Sequence, residues 1–298
     1  MIMKKCFKEF NFRSTTLAVI SRANSIIAEY QQDGYDLTLR QLYYQFVARD
    51  IIPNSQSEYN KLGTALNNGR LAGLIDWNAI KDRTRQMHQN YHETNPERAI
   101  EYTSECYAID TRQDQDVYLE AWVEKEALAG VVERACREID IPWFACRGYV
   151  SQTAMYEAAM RCRRKKASRT VIIHLGDHDP SGIDMTRDNF DRMDMFGANL
   201  TVERIALNMD QVDKYNPPPN PAKLTDSRCS GYISEYGDKS WELDALDPHT
   251  INTLICDTAA TYTDQGKRDK LILRQQTEKE LIERVSQRWD EIVEMIED

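Results

Sequence analysis

The sequence predicts an α/β fold in which an N-terminal helical module precedes a domain built on a mostly parallel sheet. Three observations predict it. Apolar residues recur at helical spacing from about residue 15 to residue 71, strand and helix signals alternate from about residue 117, and a polar, weakly patterned stretch separates the two.

In the front part, periodicity places helices over about 15–30, 38–49 and 57–71. The first ends at the turn signal QQDGYD, IIPNSQS interrupts the pattern after the second, and the third stops near Gly73. The segment LIDWNAIKDRTR that follows reads as a short hairpin or wing. Three helices with a tight connection before the third fit a helix-turn-helix, and a plain three-helix bundle fits the same pattern. Farther on, VYLEAWVE (117–124), IPWFACR (141–147), TVIIHLGD (170–177) and LTVERIAL (200–207) read as strands, with helices over about 126–139, 152–166 and 182–195 between them. That order gives a parallel sheet wrapped by helices. NPPPNP at 216–221 is a stiff break, and a charged helix begins near Lys267.

A chain of 298 residues with 41% hydrophobic and 29% charged residues is long enough for two domains and lies outside the disordered classes. No apolar run approaches the roughly 18 residues that span a bilayer, and the start MIMKKCFKEF lacks the apolar stretch of a signal peptide, so a cytoplasmic protein without membrane contact is expected. The seven cysteines are scattered and never spaced as CxxC, which suggests reduced thiols and neither a disulfide framework nor a zinc knuckle. Net charge is -10, but residues 1–90 hold 12 Lys+Arg against 8 Asp+Glu. A basic front on an acidic back suits one module that meets phosphates and another that concentrates carboxylates, and ordinary surface scatter would give the same count.

In open α/β sheets, functional groups collect where parallel strands end. Glu124 closes the first predicted strand; Asp177 closes the third, and Asp179 follows two residues later in GDHDPSG. Three oxygen donors suit Mg2+ or Mn2+. A salt-bridge or helix-capping role for Asp179 before Pro180 is the structural alternative. Glu126, Asp184, His174 and His178 lie nearby without being required. On the second predicted helix, Leu39, Leu42, Tyr43, Phe46 and Val47 define one apolar stripe and Tyr44 falls off it. Arg40, four residues earlier, shares the face of Tyr44 and is a cation that could favour a phenolate, whose ordinary pKa is about 10. On the third helix Lys61, Thr64, Asn67, Asn68 and Arg70 offer groove-reading donors, while Tyr59, Leu62 and Leu66 face the core. Arg83 and Arg85 in KDRTR suit backbone phosphates, and a second basic run, RCRRKKASR (161–169), reads equally as a solvated helix end. His88 and His92 have zinc-pair spacing without a third ligand.

The pair VEKEALAGV and HLGDHDPSGID resembles the Toprim domain, in the version found in the A subunit of type IIB topoisomerases (topoisomerase VI) and the meiotic double-strand-break protein. RGYVSQT (147–153) resembles that family's glycine-containing turn, and the likeness extends through WELDAL (241–246). The resemblance implies that Glu124, Asp177 and Asp179 bind the metal. RQLYY resembles the family's winged-helix module, where the second of two adjacent aromatic residues attacks DNA; this maps to Tyr44. The expected organisation is a winged-helix DNA-binding domain over 1–90, a linker over 91–115 and a Toprim domain with a helical extension over 116–298. The expected activity is Mg2+-dependent cleavage of double-stranded DNA by tyrosine transesterification, in a homodimer. The chain has no P-loop, so strand passage would need a separate ATPase subunit. A hydrolytic Toprim nuclease and a non-catalytic DNA-binding protein are the alternatives.

Overall fold

The computed structural model describes residues 4–81, 90–222 and 225–297. Its N-terminal unit holds α1 (Ser14–Gln32), α2 (Leu39–Ala48) and α3 (Gln56–Leu71). Thr38 starts α2 through a capping box with Gln41, and Ser55 caps α3. Gly34, at φ 76°, makes the turn after α1 that QQDGYD predicts. Residues 74–81 form turns and the single bridge Leu37–Ile80 instead of a hairpin; the rest of the expected wing, with Arg83 and Arg85, lies outside the described residues.

The stretch expected as a linker carries α4 (Pro96–Cys106), capped by Asn95 with Pro96 in its first turn. Its polar sequence conceals it because Ser104 is its sole fully buried residue; it packs along the outer helix α11 described below.

The sheet follows. β1 (Val117–Val123), α5 (Ala129–Ile139), β2 (Trp143–Ala145), α6 (Gln152–Arg163), β3 (Arg169–Leu175), α7 (Pro180–Met195) and β4 (Leu200–Ala206) alternate in chain order. The four strands are all parallel in the order β2-β1-β3-β4. The α/β fold class and its parallel sheet are therefore as expected. β1 shows why the sequence folds this way: Leu119, Ala121 and Val123 join the core beneath α5, while Trp122 joins the separate core beneath α6 and α7. Glu120 also sits on the second face, buried, where Arg161 pairs with it at 2.7 and 2.8 Å and Trp122 and Tyr118 donate to it. The basic run 161–169 is thus partly a buried anchor.

After β4 come α8 (Met209–Tyr215), the two-residue strand β5 (Asn220–Pro221), α9 (Cys229–Tyr236), β6 (Lys239–Ser240, antiparallel to β5), α10 (Pro248–Thr261), α11 (Gln265–Gln287) and α12 (Trp289–Glu297). α10 packs on α5 and β4. The core of α1–α3 is continuous with that of α5 and α10, joined where Tyr30 donates to Asp247 and Arg134 stacks on the Tyr35 ring at 4.1 Å. Among the described residues no helix is long and apolar enough to cross a membrane.

Candidate functional site

The chain leaves β1 for β2 on one side, then returns past β1 to β3 on the other. The C-terminal ends of β1 and β3 are therefore the switch point of the sheet, where backbone groups open toward solvent without a crossing connection. Glu124 and Asp177 stand there. The Glu124 backbone N–H donates to Leu175 O at 2.8 Å, and its carboxylate Oε2 accepts from the Asp177 N–H at 2.8 Å. Asp179 caps α7, its Oδ1 accepting from Gly182 N–H at 2.7 Å and Ser181 Oγ at 2.9 Å. The capping role weighed for Asp179 is real, and it fixes one oxygen of that carboxylate. Gly182 has to be glycine: a Cβ there would land on the Asp177 carbonyl oxygen and lie 3.1 Å from Glu124 Oε2.

The third wall comes from the segment after β6. Asp177 Oδ1 accepts from Leu243 N–H at 2.8 Å, while its Oδ2 lies 2.9 Å from Lys125 Nζ. Lys125 also pairs with Glu242 and lies 3.4 Å from Asp244. Arg40, from α2, pairs with Glu242 and places Nε 2.8 Å from Asp244 Oδ2. Asp244 is 2% exposed, and neither of its oxygens receives a well-directed hydrogen bond; charge alone holds it. On the far side, half-buried Arg204 of β4 donates to the carbonyls of Gly176, Asp177, Gly182 and Leu207, clamping the Asp177–Gly182 loop.

Five carboxylates (Glu124, Asp177, Asp179, Glu242, Asp244) thus face three cations (Arg40, Lys125, Arg204), a formal excess of two negative charges. The electrostatics reflect the crowding. Burial pushes the Asp177 carboxyl up to about 7 against the pull of Lys125, and burial also raises Glu124. Burial lowers the Lys125 ammonium, but Asp177, Asp244 and Glu242 outweigh it and hold the group firmly charged. Arg204 is drawn down to about 10 by desolvation.

Tyr44 lines the same cleft, a cavity of about 280 Å³ bounded also by Arg40, Tyr59, Asp177, Asp179 and Glu242. The pattern of α2 sets Tyr44 off the apolar stripe, yet it is 4% exposed, as deep as Tyr43, because the 3-10 turn Leu243–Ala245 covers that second face. Arg40 lies 5.8 Å from the Tyr44 ring centroid, and its charge is shared with Glu242 and Asp244. Burial pushes the Tyr44 phenol up to about 12, with Glu242 adding to the rise and Arg40 and Lys125 opposing it.

The other predicted residues divide. Lys61 and Asn67 are exposed on α3 and Asn68 half-exposed, with Lys61 paired to Glu58 at 2.7 Å. Arg70 turns inward: it donates to Trp77 O, lies 4.8 Å from the Trp77 ring centroid and loses part of its basicity to desolvation. It holds the chain after α3 and is not presented to a groove. Glu126 pairs with Arg147, and Asp184 with Arg187 and Arg228. His174 lies inside β3, 2.9 Å from Thr186 Oγ1; His178 lies 2.7 Å from the Tyr232 hydroxyl in a cluster with Tyr236 and Trp241.

Sequence reasoning assigned no role to Lys125, Glu242, Asp244 or Arg204. The signals were present: Lys125 adjoins Glu124, WELDAL holds two acids in an apolar string, and Arg204 interrupts an apolar strand. The donor set is hard oxygen and fits a divalent cation, as do the formal excess of two charges and the weakly satisfied Asp244 carboxylate. Among the described residues no three His, Cys, Asp or Glu side chains stand at metal-holding geometry; Lys125 and Arg40 lie between the carboxylates. Comparison of the chain with protein-family models, with characterised proteins and with solved structures finds no match.

Proposed function

We propose that the chain is a divalent-metal-dependent DNA-cleaving protein of the kind its sequence resembles, a Toprim domain joined to a winged-helix module, and that Tyr44 is its nucleophile. The observation that carries the reading is the shared cleft: Tyr44, Asp177 and Asp179 line one cavity although they come from opposite parts of the chain. Glu124, Asp177 and Asp179 would hold Mg2+ or Mn2+. When bound, the metal neutralises charge that develops on the phosphate.

The chain's own residues do the rest. The Tyr44 oxygen attacks phosphorus and loses its proton; the bond from phosphorus to the 3′ oxygen breaks, and that oxygen takes up a proton. The products are a phosphotyrosine link to the 5′ phosphate and a free 3′ hydroxyl, and reversal reseals the strand. Arg40 supplies positive charge beside the phenol, shared between Glu242 and the substrate phosphate that competes with Glu242 for it. Lys61, Asn67 and Asn68 on α3, with Arg83 and Arg85, contact double-stranded DNA. Two strands need two nucleophiles, so the working unit is a homodimer, and strand passage would draw on a separate ATPase subunit.

One observation favours hydrolysis instead: Tyr44 is nearly inaccessible and its phenol is held at about 12. In that reading water attacks and Tyr44 packs the cleft. Incubation with supercoiled DNA and Mg2+ or Mn2+, stopped with detergent, separates the two. Protein attached covalently to DNA ends supports Tyr44; cleavage without attachment supports water.

A further inference from the structure

Lys125 stands between two groups of acids, Asp177 at the end of β3 and the pair Glu242 and Asp244 from the segment after β6. Its ammonium lies 2.9 Å from Asp177 Oδ2, pairs with Glu242 and stops 3.4 Å short of Asp244 Oδ1. The other oxygen of Asp177, Oδ1, already accepts from the Leu243 N–H at 2.8 Å. The oxygen that Asp177 would offer to a divalent cation is therefore the one that Lys125 neutralises. Two cations on a single oxygen in a largely buried site repel each other strongly.

Asp244 meets the same ammonium from the other side. It is 2% exposed, and neither of its oxygens accepts a well-directed hydrogen bond; its charge is met by Arg40 Nε at 2.8 Å and by Lys125. A buried carboxylate in that state is costly, and a donor brought up to Oδ1 removes part of the cost. Lys125 is built to supply one. An ammonium carries three N–H donors on a flexible four-carbon stem, and Glu242 is a partner common to both positions. Moving Nζ from Asp177 to Asp244 trades one carboxylate for another and opens Asp177 Oδ2.

We propose that Lys125 is a displaceable internal cation, which neutralises Asp177 in the metal-free chain and passes to Asp244 when a divalent cation takes Asp177. The inference rests on the reading of Glu124, Asp177 and Asp179 as metal ligands and adds a control on that site. The apparent affinity for metal is the intrinsic affinity reduced by the fraction of molecules in which Lys125 has moved. Lys125 therefore sets the metal concentration at which the site fills. Asp244 lowers that concentration by receiving the ammonium, without being a ligand itself.

Mn2+ binding to the full chain tests it, read from the electron paramagnetic resonance of free Mn2+ at fixed pH and ionic strength, with no DNA present. Lys125→Met should bind Mn2+ about tenfold more tightly than wild type. Lys125→Gln, which keeps a donor for Asp177 without the charge, should gain less but still gain, and it replaces Lys125→Met if circular dichroism shows that variant unfolded. Asp244→Asn should bind more weakly than wild type, by about threefold, yet have little effect in the Lys125 variant, where no ammonium needs a place to go. A charge acting only at a distance would give the same factor in both backgrounds. Affinity unchanged or reduced in both Lys125 variants overturns the displacement. Equal Asp244→Asn factors in the two backgrounds overturn the transfer to Asp244. Mn2+ bound by neither wild type nor any variant overturns the metal-site reading itself, and the inference with it.

Discussion

The Asp177 backbone N–H donates to the Glu124 carboxylate at 2.8 Å, so the acid at the end of one strand holds the loop that carries the acid of the next. Glu124 therefore has two separable duties, as acceptor and as charge. Glu124→Gln keeps an acceptor and loses the charge; Glu124→Ala loses both and leaves a half-buried N–H unpaired, at a cost of about 1–3 kcal/mol. Chemical denaturation should rank wild type and Gln together and Ala below them. Added Mg2+ should raise the melting temperature of wild type but of neither variant. Equal stability of Gln and Ala would show that the bond contributes nothing.

Asp177→Ala should abolish cleavage of supercoiled DNA in Mg2+ or Mn2+ whichever nucleophile acts, whereas Tyr44→Phe keeps the ring and removes one oxygen. Under the tyrosine reading both variants lose nicking and linearisation by two orders of magnitude or more, about 3 kcal/mol in barrier. Robust cleavage by Tyr44→Phe would end that mechanism and leave the acid site standing.

Affinity for duplex DNA should fall as salt rises, with a slope reduced by about one for each phosphate contact removed, and Arg83→Ala and Arg85→Ala should each remove one. Arg70→Ala should behave differently. Because Arg70 is bound to Trp77 O and stacked on its ring, the change should lower the melting temperature and leave the salt slope nearly intact. A normal melt with a reduced slope would return Arg70 to the DNA face.

His174 sets a pH dependence of stability. It is fully buried, and burial, with Arg204 adding, pulls its pKa down to about 3. The folded pKa is depressed below the unfolded value near 6.5, so between those values the unfolded chain binds the extra proton, and stability present above pH 6.5 is lost as pH falls. The loss between pH 7 and pH 5 should be about 2 kcal/mol in urea unfolding, and His174→Phe should flatten that part of the profile. An unchanged slope in the variant would assign the pH response to other groups.

Helices and strands with a strong period were legible in the sequence, since β1, β3 and β4 each alternate or run apolar, α2 and α3 have caps, and α1 ends at a turn signal. What escaped was structure set by partners. α4 is polar and is held by α11 more than by its own pattern. Tyr44 looked exposed because a single helix shows one apolar face, and nothing in α2 announces that residues 243–245 will cover the other. For the same reason the acids at strand ends were visible one by one, while Lys125, Arg40 and Asp244 acquire their meaning only where three distant segments meet.

The Leu243 N–H that fixes Asp177 reaches it from 66 residues downstream, and Glu242 and Asp244 flank that donor. A chain emerging from the ribosome will have made Glu124, Asp177 and Asp179 well before it makes the segment that locks them. Until that segment docks, the Asp177 carboxylate lacks one of its two partners and the cleft lacks a wall. The order of synthesis therefore leaves the acid cluster without that wall until the segment around residues 242–244 has been made.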